Sequence, residues 1–314
     1  MNLACTPTPV QPLARLGEAL GGPEIWVKRD DLTGLALGGN KARKLARLTA
    51  DALARGCDVL VTGGGVQSNH VRQTAAAARW AGIECHAVLG GPHESPPSGN
   101  VLLDVLLGTT IEYTDDGSYD GIEKAIVAAA QRLEATGRRP YAIPVGGASL
   151  PGVLAYAEAA AELRSQMESI DYVFVADGSG GTHAGLLAGF GRGGPTVVGV
   201  DVGTRFDVAN AVERLAREAG RAIGSDPGDR VHVDTAHVGA GYARLDDETV
   251  GALRLAARTE GLLLDPVYTA KAFAALVEWV RTGRVGRGST VVFWHTGGQP
   301  ALFASRYATQ LTSG

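Results

Sequence analysis

Three cysteines, Cys5, Cys57 and Cys85, are all that 314 residues contain, odd in number and widely spaced. That scarcity excludes a disulfide framework and offers no ligand spacing for zinc. His86, His93, His232 and His237 likewise lack metal-like spacing, so no metal is expected. A basic surplus is also missing. The formal net charge of −4 argues against nucleic acid or an anionic membrane as partner. No apolar run reaches the length of a membrane span, and the N-terminus shows no basic segment followed by an apolar stretch. A soluble, cytoplasmic protein with reduced thiols is expected. There is no Gly-x-Ser-x-Gly elbow, which weighs against serine hydrolysis. Internal repeats and low-complexity tracts are absent.

Glycine is plentiful, at 44 residues, and 45% of the chain is hydrophobic, enough for a substantial core. Strand and helix patterns alternate, which predicts parallel sheets flanked by helices. Val59–Thr62, Glu84–Leu89, Thr110–Thr114 and Ala142–Val145 read as strands of one block. Helical patterns lie between them near 71–81, 101–107 and 122–135. A second block holds strands Tyr172–Ala176, Val197–Val202 and Thr290–Trp294, with helices near 153–167, 208–219, 247–259 and 269–281. Trp26–Lys28 reads as a short strand joining that second block. The expected division is a large domain from 1–46 and 153–314, with a small domain, 47–152, inserted into it and the ligand in the cleft.

The most informative residue is Lys41, at the end of Gly38-Gly-Asn-Lys41, where a glycine-bearing loop meets a helical pattern. A lysine held at a helix start and partly desolvated has a depressed pKa, and only a neutral amine attacks a carbonyl. The plainer reading is a surface lysine opening a basic helix with Arg43, Lys44 and Arg47. Two further loops favour chemistry. After the strand at 59–62 comes Gly63-Gly-Gly-Val-Gln-Ser-Asn-His70, in which Ser68 and Asn69 suit either a helix cap or an anionic oxygen. After the strand at 172–176 comes Gly178-Ser-Gly-Gly-Thr-His-Ala-Gly185, whose amides and hydroxyls suit a phosphate at a helix start. His183, inside that start, is expected to pack rather than react. A third polar glycine loop, His295-Thr-Gly-Gly298, follows the last strand. Loops at the carboxyl ends of strands are where open α/β sheets bind ligands.

These pieces together resemble the pyridoxal-phosphate enzymes of the tryptophan-synthase-β fold, in the branch of D-cysteine desulfhydrase and 1-aminocyclopropane-1-carboxylate (ACC) deaminase. The likeness runs in order through Thr6-Pro-Thr-Pro-Val10, Trp26-Val-Lys-Arg-Asp-Asp31, Gly38 to Leu45, Gln67-Ser-Asn-His70, Gly99-Asn100, Pro144-Val-Gly-Gly147, Gly178 to Gly185, Asp265-Pro-Val-Tyr-Thr269 and His295 to Gly298. The resemblance implies fold type II: two α/β domains, each a mostly parallel twisted sheet flanked by helices. It implies pyridoxal 5'-phosphate as cofactor, covalently linked to Lys41. Gly178, Ser179, Gly180, Gly181 and Thr182 would cradle its phosphate and Asn69 would hold its 3-oxygen. Thr296, with Thr269 close by, would meet the pyridine nitrogen. Ser68, Asn69 and His70 would bind the substrate carboxylate, and Tyr242 and Tyr268 look like the family's active-site tyrosines. A homodimer acting on a small amino acid is implied as well.

Where the ACC-deaminase pattern carries Glu, this chain has Thr269, and where it carries Gln, this chain has His70. Both choices resemble the desulfhydrase side, which also includes L-cysteate sulfo-lyases. The expected reaction is β-elimination from D-cysteine to pyruvate, ammonia and hydrogen sulfide, with L-cysteate and ACC as alternatives. Outside the family stands a nicotinamide dehydrogenase, and a degenerate, non-catalytic homologue is a further alternative. Gly178-Ser-Gly180 follows a strand, and Asp201 ends the next one about twenty residues later, as a dinucleotide fold requires. The third fingerprint glycine would fall at His183, too large for close helix–strand packing.

Overall fold

The computed structural model describes residues 2–229 and 231–312. In chain order its strands are β1 (Val10–Pro12), β2 (Glu24–Arg29), β3 (Val59–Gly65), β4 (Glu84–Gly90), β5 (Thr110–Thr114), β6 (Pro140–Ala142), β7 (Tyr172–Asp177), β8 (Thr196–Asp201), β9 (His232–Asp234) and β10 (Thr290–His295). Its helices are α1 (Ala14–Leu20), α2 (Lys41–Ala54), α3 (Asn69–Ala81), α4 (Gly99–Leu106), α5 (Tyr119–Ala135) and α6 (Leu150–Gln166). They continue with α7 (Gly181–Phe190), α8 (Val208–Ile223), α9 (Asp247–Glu260), α10 (Thr269–Arg281) and α11 (Ser305–Thr312).

Two sheets result, one of six strands in the order β1-β2-β10-β7-β8-β9 and one of four in the order β5-β4-β3-β6. Only β1, an edge strand, runs antiparallel. Successive residues of a strand point to opposite faces, and both faces of the large sheet are covered. Phe174, Val198, Val200, Val291 and Phe293 pack on one face with α10. Val173, Val175, Val197, Val292 and Trp294 pack on the other with α6, α7 and α8. Double coverage is why these strands read as unbroken apolar runs rather than alternating ones.

The three glycines at 63–65 are strand, not loop, in register with Val88, Leu89 and Gly90 of β4. A Cβ at Gly64 would lie 2.4 Å from the Ser68 hydroxyl oxygen, so bare backbone lets the strand end pass directly beneath the α3 start. β6 begins two residues before the expected strand and is cut short, although Ile143 N–H still donates to Val61 O at 2.8 Å. β1 and β9, three residues each, carry too short a pattern to read in sequence.

α2 is fixed by ions buried beneath it. The Arg43 guanidinium bonds Asp30 and Glu162, and Lys28 also pairs with Glu162. Asp30 further accepts from Thr8 Oγ1 (2.9 Å), Trp294 Nε1 (2.8 Å) and the Tyr156 hydroxyl. Such a network contributes little net stability, but breaking it leaves an uncompensated buried charge. Its geometry therefore sets where Lys41, two residues before Arg43, must lie. Among the described residues no helix is long and apolar enough to cross a membrane.

Candidate active site

The carboxyl ends of β3, β7 and β10 open on one cavity of about 260 Å³. Its wall includes Lys41, Ser68, Asn69, His70, Gly178, Ser179, Gly180, Thr182, Tyr242, Tyr268 and Thr296, which gathers all but two of the expected site residues. Gly181, at the first turn of α7, is buried just behind it, and Thr269 is buried next to Tyr268.

Lys41 opens α2, and Asn40 precedes it as the helix cap. Three bonds make Asn40 the hub of the site. Its N–H donates to Thr296 O (2.9 Å), its Nδ2 to Thr182 Oγ1 (3.0 Å), and its Oδ1 accepts from Lys41 Nζ (2.8 Å). Burial lowers the Lys41 pKa to about 8, a pull that Asp265 opposes and Arg72 reinforces. A useful fraction of Lys41 is thus neutral near pH 7, as a nucleophile or base requires.

Opposite lies the start of α7. Gly180 caps it with φ +82°, a left-handed conformation, and a Cβ there would meet Val212 Cγ2 at 2.9 Å. Ala184 N–H is the first to bond back, to Gly180 O at 2.9 Å, so the amides of Gly181, Thr182 and His183 have no acceptor within the helix. The Thr182 hydroxyl, accepting from Asn40, keeps its own hydrogen to donate. Lys44, which reads in sequence as one more surface cation, is fully buried behind this turn. Its Nζ lies 2.9 Å from the point where a Gly181 Cβ would be and donates to Gly146 O at 3.2 Å. Burial first, then Lys41, pushes the Lys44 pKa well below the ordinary range, a cost that an anion in the cup would relieve. His183 packs as expected, with Nδ1 2.8 Å from Asp177 Oδ2.

At the third wall, Ser68 caps α3 by accepting from Val71 N–H at 3.2 Å. The Asn69 Oδ1 accepts from Arg72 Nη1 (2.9 Å) and Asn100 Nδ2 (3.1 Å), which turns its NH2 toward the cavity. The His70 ring stands otherwise than a carboxylate ligand would. Thr62 Oγ1 donates to Ile143 O (3.0 Å) and so accepts from His70 Nε2 (3.0 Å). Burial and the nearby Lys41 and Lys44 charges hold this imidazole well below its usual pKa, hence neutral. Its ring brings no cation to a carboxylate; Nδ1 is left without a partner among the described residues, and the donor His70 has to offer is its backbone N–H at the start of α3.

The Tyr242 and Tyr268 hydroxyls are 2.7 Å apart, with their rings edge to face. Burial raises both pKa values, so both stay protonated, and sharing one hydrogen leaves the other to donate. Thr296 lines the cavity. Thr269 stands one residue beyond Tyr268 and one hydrogen bond from Asp265, both of which line it. Its hydroxyl donates to Asp265 Oδ1 at 2.7 Å and accepts from Asp265 N–H at 2.7 Å, locked into the start of α10. Asp265 lines the cavity, yet its carboxylate already accepts from Val267 N–H (2.9 Å), Tyr268 N–H (2.9 Å) and Thr269 N–H (2.8 Å). Four donors saturate it. Asp201, the acidic residue of the dinucleotide alternative, accepts from Gly203 N–H at 2.7 Å through Oδ1.

Comparisons with known proteins point the same way. The family described as "Pyridoxal-phosphate dependent enzyme" matches residues 1–297. The chain is 42% identical over 316 aligned residues to proteins named D-cysteine desulfhydrase from Salmonella newport and Salmonella typhi, covering 97% of this chain and 95% of each relative. A solved structure titled as an ACC deaminase homologue superposes with a TM-score of 0.92 at 37% identity, covering 98% of this chain and 94% of that one. Threonine deaminase isoform 2 from Solanum lycopersicum shares the fold alone, with a TM-score of 0.70 at 15% identity. The residues suit such a cofactor, since a depressed lysine amine faces an amide cup with the buried Lys44 amine behind it. By that agreement of site and sequence, the chain belongs to the pyridoxal-phosphate-dependent enzymes, in the branch that holds D-cysteine desulfhydrase and the ACC deaminase homologue.

Proposed function

We propose that this protein is a carbon–sulfur lyase that takes D-cysteine to pyruvate, ammonia and hydrogen sulfide. One observation carries the reading: the Lys41 amine, its pKa lowered to about 8, faces the amide cup of α7 across a single small cavity. The names of the Salmonella relatives support the substrate. Bound pyridoxal phosphate supplies the electron sink that acidifies the substrate Cα–H. The cup of Gly178–Thr182, with Lys44 behind, would hold its phosphate, the Asn69 NH2 its 3-oxygen and the Thr296 hydroxyl its pyridine nitrogen. The neutral Lys41 amine takes the Cα proton. The Ser68 hydroxyl and the amides opening α3 hold the substrate carboxylate. The spare hydrogen of the Tyr242–Tyr268 pair is placed for the sulfur leaving from Cβ. Purified protein incubated with D-cysteine should release sulfide and pyruvate in equal amounts, and release of neither would overturn the reading.

L-cysteate is the second reading, and Arg306 favours it. This cation lines the cavity from α11, and among the described residues no carboxylate pairs with it. Its guanidinium lies over the Tyr307 ring, 5.5 Å from the centroid, and keeps its N–H donors for a sulfonate.

A homodimer is the assembly we infer, from apolar side chains left in the open on neighbouring elements. Leu106 is 73% exposed, Trp80 69% and Leu37 63%, with Leu102 and Val105 beside Leu106 on α4. A second copy would cover them. The division into 1–46 with 153–314 and an inserted 47–152 is proposed with it, as is a cytoplasmic setting for the reduced thiols.

A further inference from the structure

Behind Asn69 lies a cation that the chemistry above does not use. Arg72 is fully buried one turn further along α3. Its Nη1 donates to Asn69 Oδ1 (2.9 Å) and to Asn100 Oδ1 (2.8 Å), and its Nη2 donates to Gly38 O (2.8 Å). Asn100, also fully buried, adds Nδ2 to Asn69 Oδ1 (3.1 Å) and to Gln67 O (3.0 Å). One guanidinium thus grips the carboxamide at the α3 start and a carbonyl three residues before Lys41.

We propose that Arg72 is the positioning residue of this site: it fixes the Asn69 carboxamide with its NH2 facing the cofactor's 3-oxygen and ties that donor to the loop carrying Lys41. The inference rests on the assignment of Asn69 to the 3-oxygen. Three features argue for it. Both acceptor positions of Asn69 Oδ1 are filled, one by a cationic donor, so a flipped amide would put NH2 against guanidinium and is excluded. No carboxylate lies within ion-pair distance of Arg72 among the described residues; Asp104 and Asp265 act on it only from further away. Its charge therefore polarises the Asn69 amide instead of being neutralised beside it, which strengthens the NH2 as a donor. The same charge reaches Lys41 and helps to lower its basicity. A guanidinium that served only to knit helices together would need no bond to the Lys41 loop.

The test uses holoenzyme of Asn69→Ala, Arg72→Gln, the double variant and Arg72→Lys. It reads the visible absorption of the bound cofactor and the affinity of apoprotein for pyridoxal phosphate. Asn69→Ala should redistribute the absorption bands, because it removes a donor from the phenolic oxygen. Arg72→Gln should shift them in the same direction and weaken cofactor affinity about tenfold, and the double variant should match Asn69→Ala alone. Arg72→Lys, which keeps the charge but only one compact donor group, should fall between wild type and Arg72→Gln. Should Arg72→Gln fail to fold, Arg72→Lys decides, its bands lying between those of wild type and Asn69→Ala. Independent, additive spectral effects, or an unchanged spectrum in both Arg72 variants beside an altered Asn69→Ala, would overturn the role of Arg72. An unchanged spectrum in Asn69→Ala would instead remove the assignment on which it stands.

Discussion

The Asn40 carboxamide donates to the Thr182 hydroxyl at 3.0 Å, joining the loop that presents the amine to the turn that forms the anion cup, 142 positions away in sequence. Since the same carboxamide accepts from Lys41 Nζ at 2.8 Å, one side chain sets the distance between amine and cup. Asn40→Ala removes both contacts and leaves a buried hydroxyl without its donor, at a cost of about 1–3 kcal/mol. Cofactor affinity should fall about tenfold or more while Thr182→Val, which keeps the shape, falls comparably. Titration of apoprotein with pyridoxal phosphate measures both.

Lys41→Ala should abolish both the yellow colour of the holoenzyme and elimination activity, with the fold retained. Borohydride treatment followed by peptide mapping should place the cofactor on Lys41. Recovery on Lys44 or Lys28 would contradict the assignment; both are buried, Lys28 against Glu162 and Lys44 against Gly146.

The loops of this site were legible because phosphate and carboxylate recognition needs bare backbone and short hydroxyls at strand ends, a composition that few other constraints produce. Lys41, Ser68 and Gly178–Thr182 all fall out of that pattern. Arg72 and Lys44 did not, because a cation on an amphipathic helix looks the same whether it meets water or a buried carbonyl. Thr269 shows a similar limit. Sequence shows a hydroxyl beside the active-site tyrosine, but not that Asp265, four residues earlier, captures it through the first turn of α10. The long parallel strands were readable from apolar runs, whereas three-residue β1 and β9 owe their existence to neighbours already in place.

The pH dependence of cofactor attachment follows from Lys41. With a pKa of about 8, the amine is protonated below that value and neutral above it. About a tenth is neutral at pH 7, against well under a thousandth for an unperturbed lysine. The rate of colour formation on mixing apoprotein with pyridoxal phosphate should therefore rise about tenfold per pH unit up to pH 7 and level off above about 8. A rise continuing unabated past pH 10 would show an ordinary lysine.

Gly180→Asp places a side chain where φ is +82° and Val212 leaves no room, and adds a negative charge at the anion cup. Cofactor affinity should drop at least tenfold, about 1.4 kcal/mol. Gly180→Ala separates the two effects, since it carries the backbone and steric penalty without the charge. If both variants titrate like wild type, the phosphate sits elsewhere.

Substrate choice turns on what faces the pyridine edge and what faces Cβ. Thr296 offers a hydroxyl, and the carboxylate of Asp265 is saturated by four donors, so neither of these two keeps the ring nitrogen protonated. The electron sink is correspondingly weak. Expelling a thiolate relieves the developing carbanion at once and tolerates a weak sink, whereas opening the ring of ACC does not. D-cysteine and 3-chloro-D-alanine should yield pyruvate, and ACC little 2-oxobutyrate. Arg306 decides the remaining competitor. If its guanidinium meets a sulfonate, Arg306→Gln should lower kcat/KM for L-cysteate at least tenfold and change that for D-cysteine little, because a thiol has no charge for it to meet. Parallel assays of wild type and Arg306→Gln with D-cysteine, L-cysteine, L-cysteate and ACC provide the measurement. Highest turnover on ACC would refute the reading of the pyridine edge. Equal losses on D-cysteine and L-cysteate would show that Arg306 shapes the cavity rather than recognising charge.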